Sequence, residues 1–144
     1  KNGLKYDSSI FPVKTHLYGV PDAPLYPYCI SSSNIKIDDP EEDFFEFPLS
    51  VYRIPVVHKN IPIAGGFYLR FFPYRFTKHA ITRINKRGHP AIVYVHPWEF
   101  DTEQPRIKEL KWYHYYNLST TEKKFMRLLE DFELMSVRRW LKLL

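Results

Sequence analysis

The sequence predicts an α/β fold, and three observations carry that reading. Residues 91–95, Ala-Ile-Val-Tyr-Val, are apolar with no polar alternation, which suits a strand covered on both faces as in a parallel sheet. Thr77 to Arg87 places Ala80, Ile81 and Ile84 on one helical face with a basic face opposite, and Gly88 stands where a helix C-cap belongs. Ser119 and Glu122 have capping-box spacing, followed by Phe125, Leu128, Leu129 and Phe132 at helical intervals. Helix, glycine, apolar strand and then a second helix is the alternation of an αβ unit.

Taken in order, Leu4 to Asp7 reads as a short strand running into Ser8-Ser9-Ile10-Phe11. A loop follows over 12–27, with Pro12, Pro21, Pro24 and Pro27 spaced among tyrosines. Irregular stretches of that length in a domain are commonly functional or lid-like; the tyrosines could line a sugar groove or pack on the loop's own prolines. Phe45, Phe47, Leu49 and Val51 alternate through a second strand over 44–54. Ile61 to Ala64 then enters Gly65-Gly66, a simple turn or a place where another group approaches the backbone closely. After the helix of 119–132, Glu133 to Val137 reads as a last short strand and Arg138 to Leu144 as a terminal helical turn with Trp140 and Leu141 inward.

At 144 residues, with 44% hydrophobic and 17% aromatic residues, the chain has the size and composition of a single domain over 1–144. The lone Cys29 excludes an internal disulfide, and no apolar run is long enough for a transmembrane helix or resembles a signal segment, so the expected setting is soluble and reduced. The net charge of +5 is spread along the sequence, with Lys86-Arg87, Lys123-Lys124 and Arg138-Arg139 as the tight pairs. Nucleic-acid binding would want a basic stripe interleaved with stacking platforms, so it is not expected. The six histidines stand at 16, 58, 79, 89, 96 and 114, with no pair four apart to grip one ion. Asp38-Asp39, between Ser/Asn residues and Pro40-Glu41-Glu42, reads as a solvated loop.

Candidate chemistry centres on His96. It closes the apolar run, and Pro97 confines it to an extended backbone at the strand's carboxyl end, where α/β sites gather. The imidazole should be presented to solvent. Trp98 offers an apolar face or packs under the following loop, while Glu99 or Asp101 could accept the second ring N–H of His96. Glu99 could equally pair with Arg70 or Arg106. His114 sits in an aromatic cluster, Trp112-Tyr113-His114-Tyr115-Tyr116, and structural packing is the better reading for it.

The segment from Gly88 to Ile107, GHPAIVYVHPWEFDTEQPRI, resembles the last motif of the polysaccharide deacetylases of carbohydrate esterase family 4, in the NodB-like branch associated with exopolysaccharide synthesis. The resemblance continues, in order, through YDSSIFP from Tyr6, YGVPDAP from Tyr18, EFPLS from Glu46, AGGFYLR from Ala64 and HYYNL from His114. It implies that the chain is the C-terminal part of a distorted (β/α) barrel whose parent hydrolyses N-acetyl groups on a polysaccharide. It further implies that His96 is the catalytic acid, that Trp98, Glu99, Asp7, Gly65, Gly66 and His114 bind substrate or support the site, and that a divalent metal, zinc by resemblance, serves the parent. The family's Asp-Asp pair, His-x-x-x-His pair and Arg-x-Pro loop do not occur in this sequence. The expectation is therefore a truncated chain whose missing N-terminal part carries the metal ligands, with no metal bound by this piece alone. Two rivals come from other classes: a non-catalytic carbohydrate-binding module, suggested by eleven tyrosines and three tryptophans, and a basic interaction domain.

Overall fold

The computed structural model describes residues 3–15 and 18–142, and shows a mixed α/β arrangement of two small sheets with helices packed beside them. Among the described residues there is no closed barrel. Strand β1 (Tyr6–Asp7) pairs parallel with β3 (Phe45–Glu46), and β3 pairs antiparallel with β2 (Tyr28–Cys29). Strands β4 (Val51–Arg53) and β5 (Asn60–Pro62) form a separate antiparallel hairpin. The long strand expected over 44–54 is therefore broken in two. Pro48 has no N–H to donate, and residues 47–50 belong to neither ladder, although the Phe47 and Leu49 N–H groups still donate to the Asp7 and Ile10 carbonyls, both at 2.9 Å.

Helix α1 (Gly66–Phe71) follows Gly65 directly, so Gly65-Gly66 is the start of a helix rather than a plain turn. Helix α2 (Tyr74–Asn85) begins after Pro73 and buries Tyr74, Thr77, Ala80, Ile81 and Ile84, the stripe read from the sequence. Gly88 beyond it has φ 81°, as a C-terminal glycine should.

The segment 91–95 is extended but joins no ladder, contrary to expectation. Its backbone link is to Ser50: Ser50 N–H donates to the Ile92 carbonyl at 3.2 Å, and the Ile92 N–H is taken by Ser50 Oγ at 2.7 Å. Ala91, Val93 and Val95 pack against the core of Ile63, Leu69 and Ile81, whereas Tyr94 packs on the other side against Phe11, Val51 and Ala64. Both faces are covered, yet the apolar side chains remain only half-buried. The run behaves as a strand lacking neighbours.

After α3 (Trp112–Tyr115), a 3-10 turn over Leu118–Thr120 leads into α4 (Thr121–Asp131). The Ser119–Glu122 capping box does not form, because the 3-10 turn places Ser119 inside helical backbone and Asn117, at φ 53°, starts it. Residues 133–136 are a loop rather than a strand; Ser136 caps α5 (Val137–Leu141) by accepting the Arg139 N–H at 3.2 Å. Trp140 does turn inward, edge-on to Phe47 at 5.3 Å. No helix among the described residues is long and apolar enough to cross a membrane. Position 16, one of the six histidines, and Leu143 and Leu144 of the expected terminal turn lie outside the described residues.

Candidate functional site

The site grows from the glycine pair. Gly65 has φ 93°, and a Cβ on it would lie 2.9 Å from the Tyr94 ring. On Gly66 a Cβ would lie 1.9 Å from a Glu99 carboxylate oxygen. Close approach is thus the reason for both glycines: any side chain at 66 would occupy the carboxylate's position.

One turn along α1, Arg70 reaches the same place. Its Nε donates to the Gly66 carbonyl at 3.2 Å and its Nη2 to Glu99 Oε1 at 3.0 Å, while Nη1 donates to the carbonyls of His114 and Tyr116 at 3.0 and 2.7 Å. Arg70 and Glu99 are 1% and 2% exposed. Burial lowers the guanidinium from its ordinary value and Glu99 pulls it back. A planar fork with five donors is suited to tying three segments to one carboxylate. Lys124 completes the support from α4, donating to the carbonyls of Leu69, Arg70 and Phe72 at the end of α1; burial lowers its ammonium.

Above this layer lies the short 3-10 turn Pro97–Phe100. His96 precedes it in extended backbone, φ −100° and ψ 147°, the conformation that Pro97 imposes. Its N–H donates to Glu99 Oε2 at 2.9 Å, and its Nδ1 stands 3.5 Å from the same oxygen. Its side chain is 52% exposed. Glu99 therefore does both things weighed for it: it pairs with Arg70, and it faces the imidazole. Tyr94 meets the His96 ring edge-on at 5.3 Å; burial raises its phenol, with the charges of Tyr18 and Glu99 adding to the effect.

Trp98 stacks on His114 at 4.1 Å and 12°, and lies near-parallel to His96 at 5.5 Å. It is 36% exposed, so it is neither a free platform nor a core residue. His114 shares a hydrogen bond with Gln104, Nε2 to Oε1 at 2.9 Å, and Gln104 in turn donates to the carbonyls of Trp98 and Asp101. Packing is thus the visible role of His114. Asp101 does not take the orienting position and serves instead as an acceptor for the Glu103 N–H.

The structure brings together His96, Trp98, Glu99, Gly65, Gly66 and His114. Asp7 is elsewhere, on β1, where it accepts the Ser9 hydroxyl at 2.8 Å beside buried Glu46. Gln104, Tyr94 and Lys124 carry contacts that spacing did not reveal. Their partners lie on other elements, and no local pattern announces them. Among the described residues no group of three His, Cys, Asp or Glu could hold a metal ion, and Asp38 is used to accept the Cys29 N–H at 3.0 Å. Chemically, a half-exposed imidazole backed by a buried carboxylate can hold a proton on one nitrogen and exchange one at the other.

A family model described as "Domain of unknown function (DUF3473)" matches residues 8–142. The chain belongs to the DUF3473 family. Every site residue gathered around His96 lies within the matched span of this DUF3473 domain, and Asp7 falls just outside it. No curated protein and no solved structure matches the chain.

Proposed function

We propose that this DUF3473 domain is the C-terminal part of a metal-dependent polysaccharide deacetylase, one flank of a distorted (β/α) barrel, and that His96 is its general acid. The observation that carries the reading is the His96–Glu99 pair, an imidazole at the open end of an extended apolar segment with a buried, arginine-held carboxylate 3.5 Å from Nδ1. The ordered resemblance of GHPAIVYVHPWEF and its companion motifs supports it from the sequence.

In this reading Glu99 holds the Nδ1 proton, so the opposite nitrogen, Nε2, delivers its proton to the departing amine as the carbon–nitrogen bond breaks. The Arg70 guanidinium keeps Glu99 fixed in place. Bonds of this kind are often long in a resting site and tighten around substrate. A divalent metal, zinc by resemblance, would supply an activated water, and its ligands would come from outside this chain. The partners are an N-acetylated polysaccharide and the N-terminal part of the same domain.

His96→Ala in the full-length protein tests the proposal. It should leave metal content unchanged and lower turnover of an N-acetylated oligosaccharide by roughly 100- to 10,000-fold, the usual loss for a general acid. An unchanged rate with an intact fold removes His96 from the chemistry. A carbohydrate-binding role is the second reading, favoured by exposed aromatics beside the site: Trp112 at 66%, Phe71 at 48% and Tyr113 at 38%. Oligosaccharide binding without hydrolysis, in the wild-type protein, would select it.

A further inference from the structure

From residue 47 to residue 98 the sequence holds no Asp or Glu, yet it holds eight Lys and Arg. Folding gathers four of these cations on one face. A cleft of about 300 Å³ along the exposed side of α2 is lined by His79, Thr82, Arg83, Lys86 and Arg87. Arg83 and Arg87 also border an adjoining recess with Arg53 and Tyr26. Ion pairs join Lys5 to Asp43, Lys36 to Asp22, Arg70 to Glu99, Lys78 to Asp131 and His96 to Glu99. Among the described residues, none of these pairs involves Arg53, Arg83, Lys86 or Arg87.

A helix C-terminus favours cations in its last turn, which accounts for part of the cluster. It does not account for Arg53, which comes from another element, nor for the exclusion of acidic residues from both. An ordinary surface intersperses the two signs. Arg87 donates from Nη1 to the Tyr26 hydroxyl at 3.0 Å, which leaves its charge without a carboxylate partner. Guanidinium groups in that condition on a concave surface form a receptor for carboxylate or phosphate, because the fork donates two parallel hydrogen bonds to either.

The form of the surface indicates which anion. No large apolar side chain on α2 is exposed, so the cleft itself offers nothing to insert into a lipid layer; Val56 and Val57 are exposed only beyond it, on the turn between β4 and β5. Each ring that borders the cleft and its recess already has a ring partner: Tyr26 stacks on His89 at 3.8 Å, and His79 meets Tyr52 edge-on at 5.8 Å, so none stands as a free platform for a nucleobase. What remains is an open cationic cleft, walled by the stems of Arg83, Lys86 and Arg87. Seven residues of extended chain lead from His89 beside it to His96, at most about 25 Å by backbone reach.

We infer that the Arg53–Arg83–Lys86–Arg87 cleft is a subsite for the carboxylates of an acidic polysaccharide, holding anionic sugar residues while a more distant residue of the same chain lies at His96. The inference rests on the deacetylase reading for its geometry and names the substrate class: a glycan carrying uronate groups as well as N-acetyl groups.

The test uses the full-length protein, with a hexameric oligogalacturonate as the anionic probe and a neutral N-acetylglucosamine hexamer as the second. Calorimetry should show oligogalacturonate binding that weakens as salt is raised, since an exposed ionic contact is screened. Arg83→Gln with Lys86→Gln should weaken it about tenfold or more, the scale of losing one charge-assisted contact, while hydrolysis of the neutral hexamer and the melting temperature stay unchanged. His96→Ala should leave oligogalacturonate binding intact. Absence of binding, or equal binding by the double variant, overturns the subsite. Tenfold tighter, competing binding of single-stranded DNA or of anionic phospholipid vesicles also overturns it. Survival of hexamer hydrolysis in His96→Ala would defeat the deacetylase role of His96 alone, because probe binding at α2 is read separately.

Discussion

Glu99 and His96 are three residues apart, yet they belong to opposite regimes: the carboxylate is 2% exposed and the imidazole 52%. Beneath, Arg70 spends its donors on Gly66, Glu99, His114 and Tyr116, a charged layer closed to water. Above, His96, Trp98 and His114 form a partly open stack held by ring contacts. The difference teaches how the site divides its work. A buried charge is tolerable only when it is paired and hydrogen-bonded, so the lower layer has one stable arrangement and can position the upper one. The upper layer keeps exposed ring surface and can meet a ligand.

The sharpest way to break the contrast is Glu99→Ala. It leaves the Arg70 cation buried without its counterion and should cost about 3–5 kcal/mol, the range for removing one partner of a buried pair; urea denaturation would measure it. A loss under 1 kcal/mol would mean that water reaches Arg70 and that the lower layer is not closed.

Gly66→Ala comes next. Alanine favours a helix over glycine by about 1 kcal/mol, but the new Cβ would meet the Glu99 carboxylate at 1.9 Å. Overpacking of that kind costs about 1–3 kcal/mol, so a net loss in thermal melts is expected, with the Glu99–Arg70 contact displaced. A stabilised variant would show that the carboxylate can move aside at no cost.

Trp98→Ala probes the upper layer and should cost on the order of 1 kcal/mol, the contribution of ring stacking. It should impair turnover of a long oligosaccharide more than that of a small acetylated substrate. If the melt instead collapses by the 3–5 kcal/mol of a buried tryptophan with no change in substrate preference, Trp98 belongs to the lower layer.

The smallest effect contrasts Glu99 with the other buried carboxylate, Glu46. Burial raises the Glu46 carboxyl; the Ile10 N–H lowers it in part, Asp7 raises it further, and the Ser9 N–H again lowers it. A folded-state value above the unfolded one means that the folded protein binds the proton more tightly, so this stability is present below the unfolded carboxyl range and is lost as pH rises through the folded value. Glu46→Gln cannot ionise and should gain on the wild type as pH is raised from 4 to 7 in urea titrations. A constant difference across that window would show that Glu46 titrates normally.

Much of this was legible along the chain. The α2 stripe, the glycine after it, the inward Trp140 and the exposed His96 before Pro97 are local facts, set by period and by proline sterics. The pairing of Glu99 with Arg70 was one of the alternatives that the sequence left open. What misled were patterns whose outcome depends on neighbours. Residues 91–95 have the composition of a ladder strand but find Ser50 alone beside them, and 133–137 lack any partner strand. Ser119 and Glu122 have the right spacing, but a 3-10 turn had already claimed the helix start. Asp7 matched a motif and yet lies on β1, in a sheet that His96 does not join.

The sequence by itself determined the α/β character, the amphipathic helices and the aim of His96, because each depends on the backbone preferences and hydrophobic period of consecutive residues. Tertiary structure decided which glycine yields space to which carboxylate, which carbonyls Arg70 holds, and that Arg53, far from Arg83 in the chain, shares a recess with it. Those contacts join residues tens of positions apart, and their energies depend on burial and on partner geometry, neither of which exists until the chain has packed.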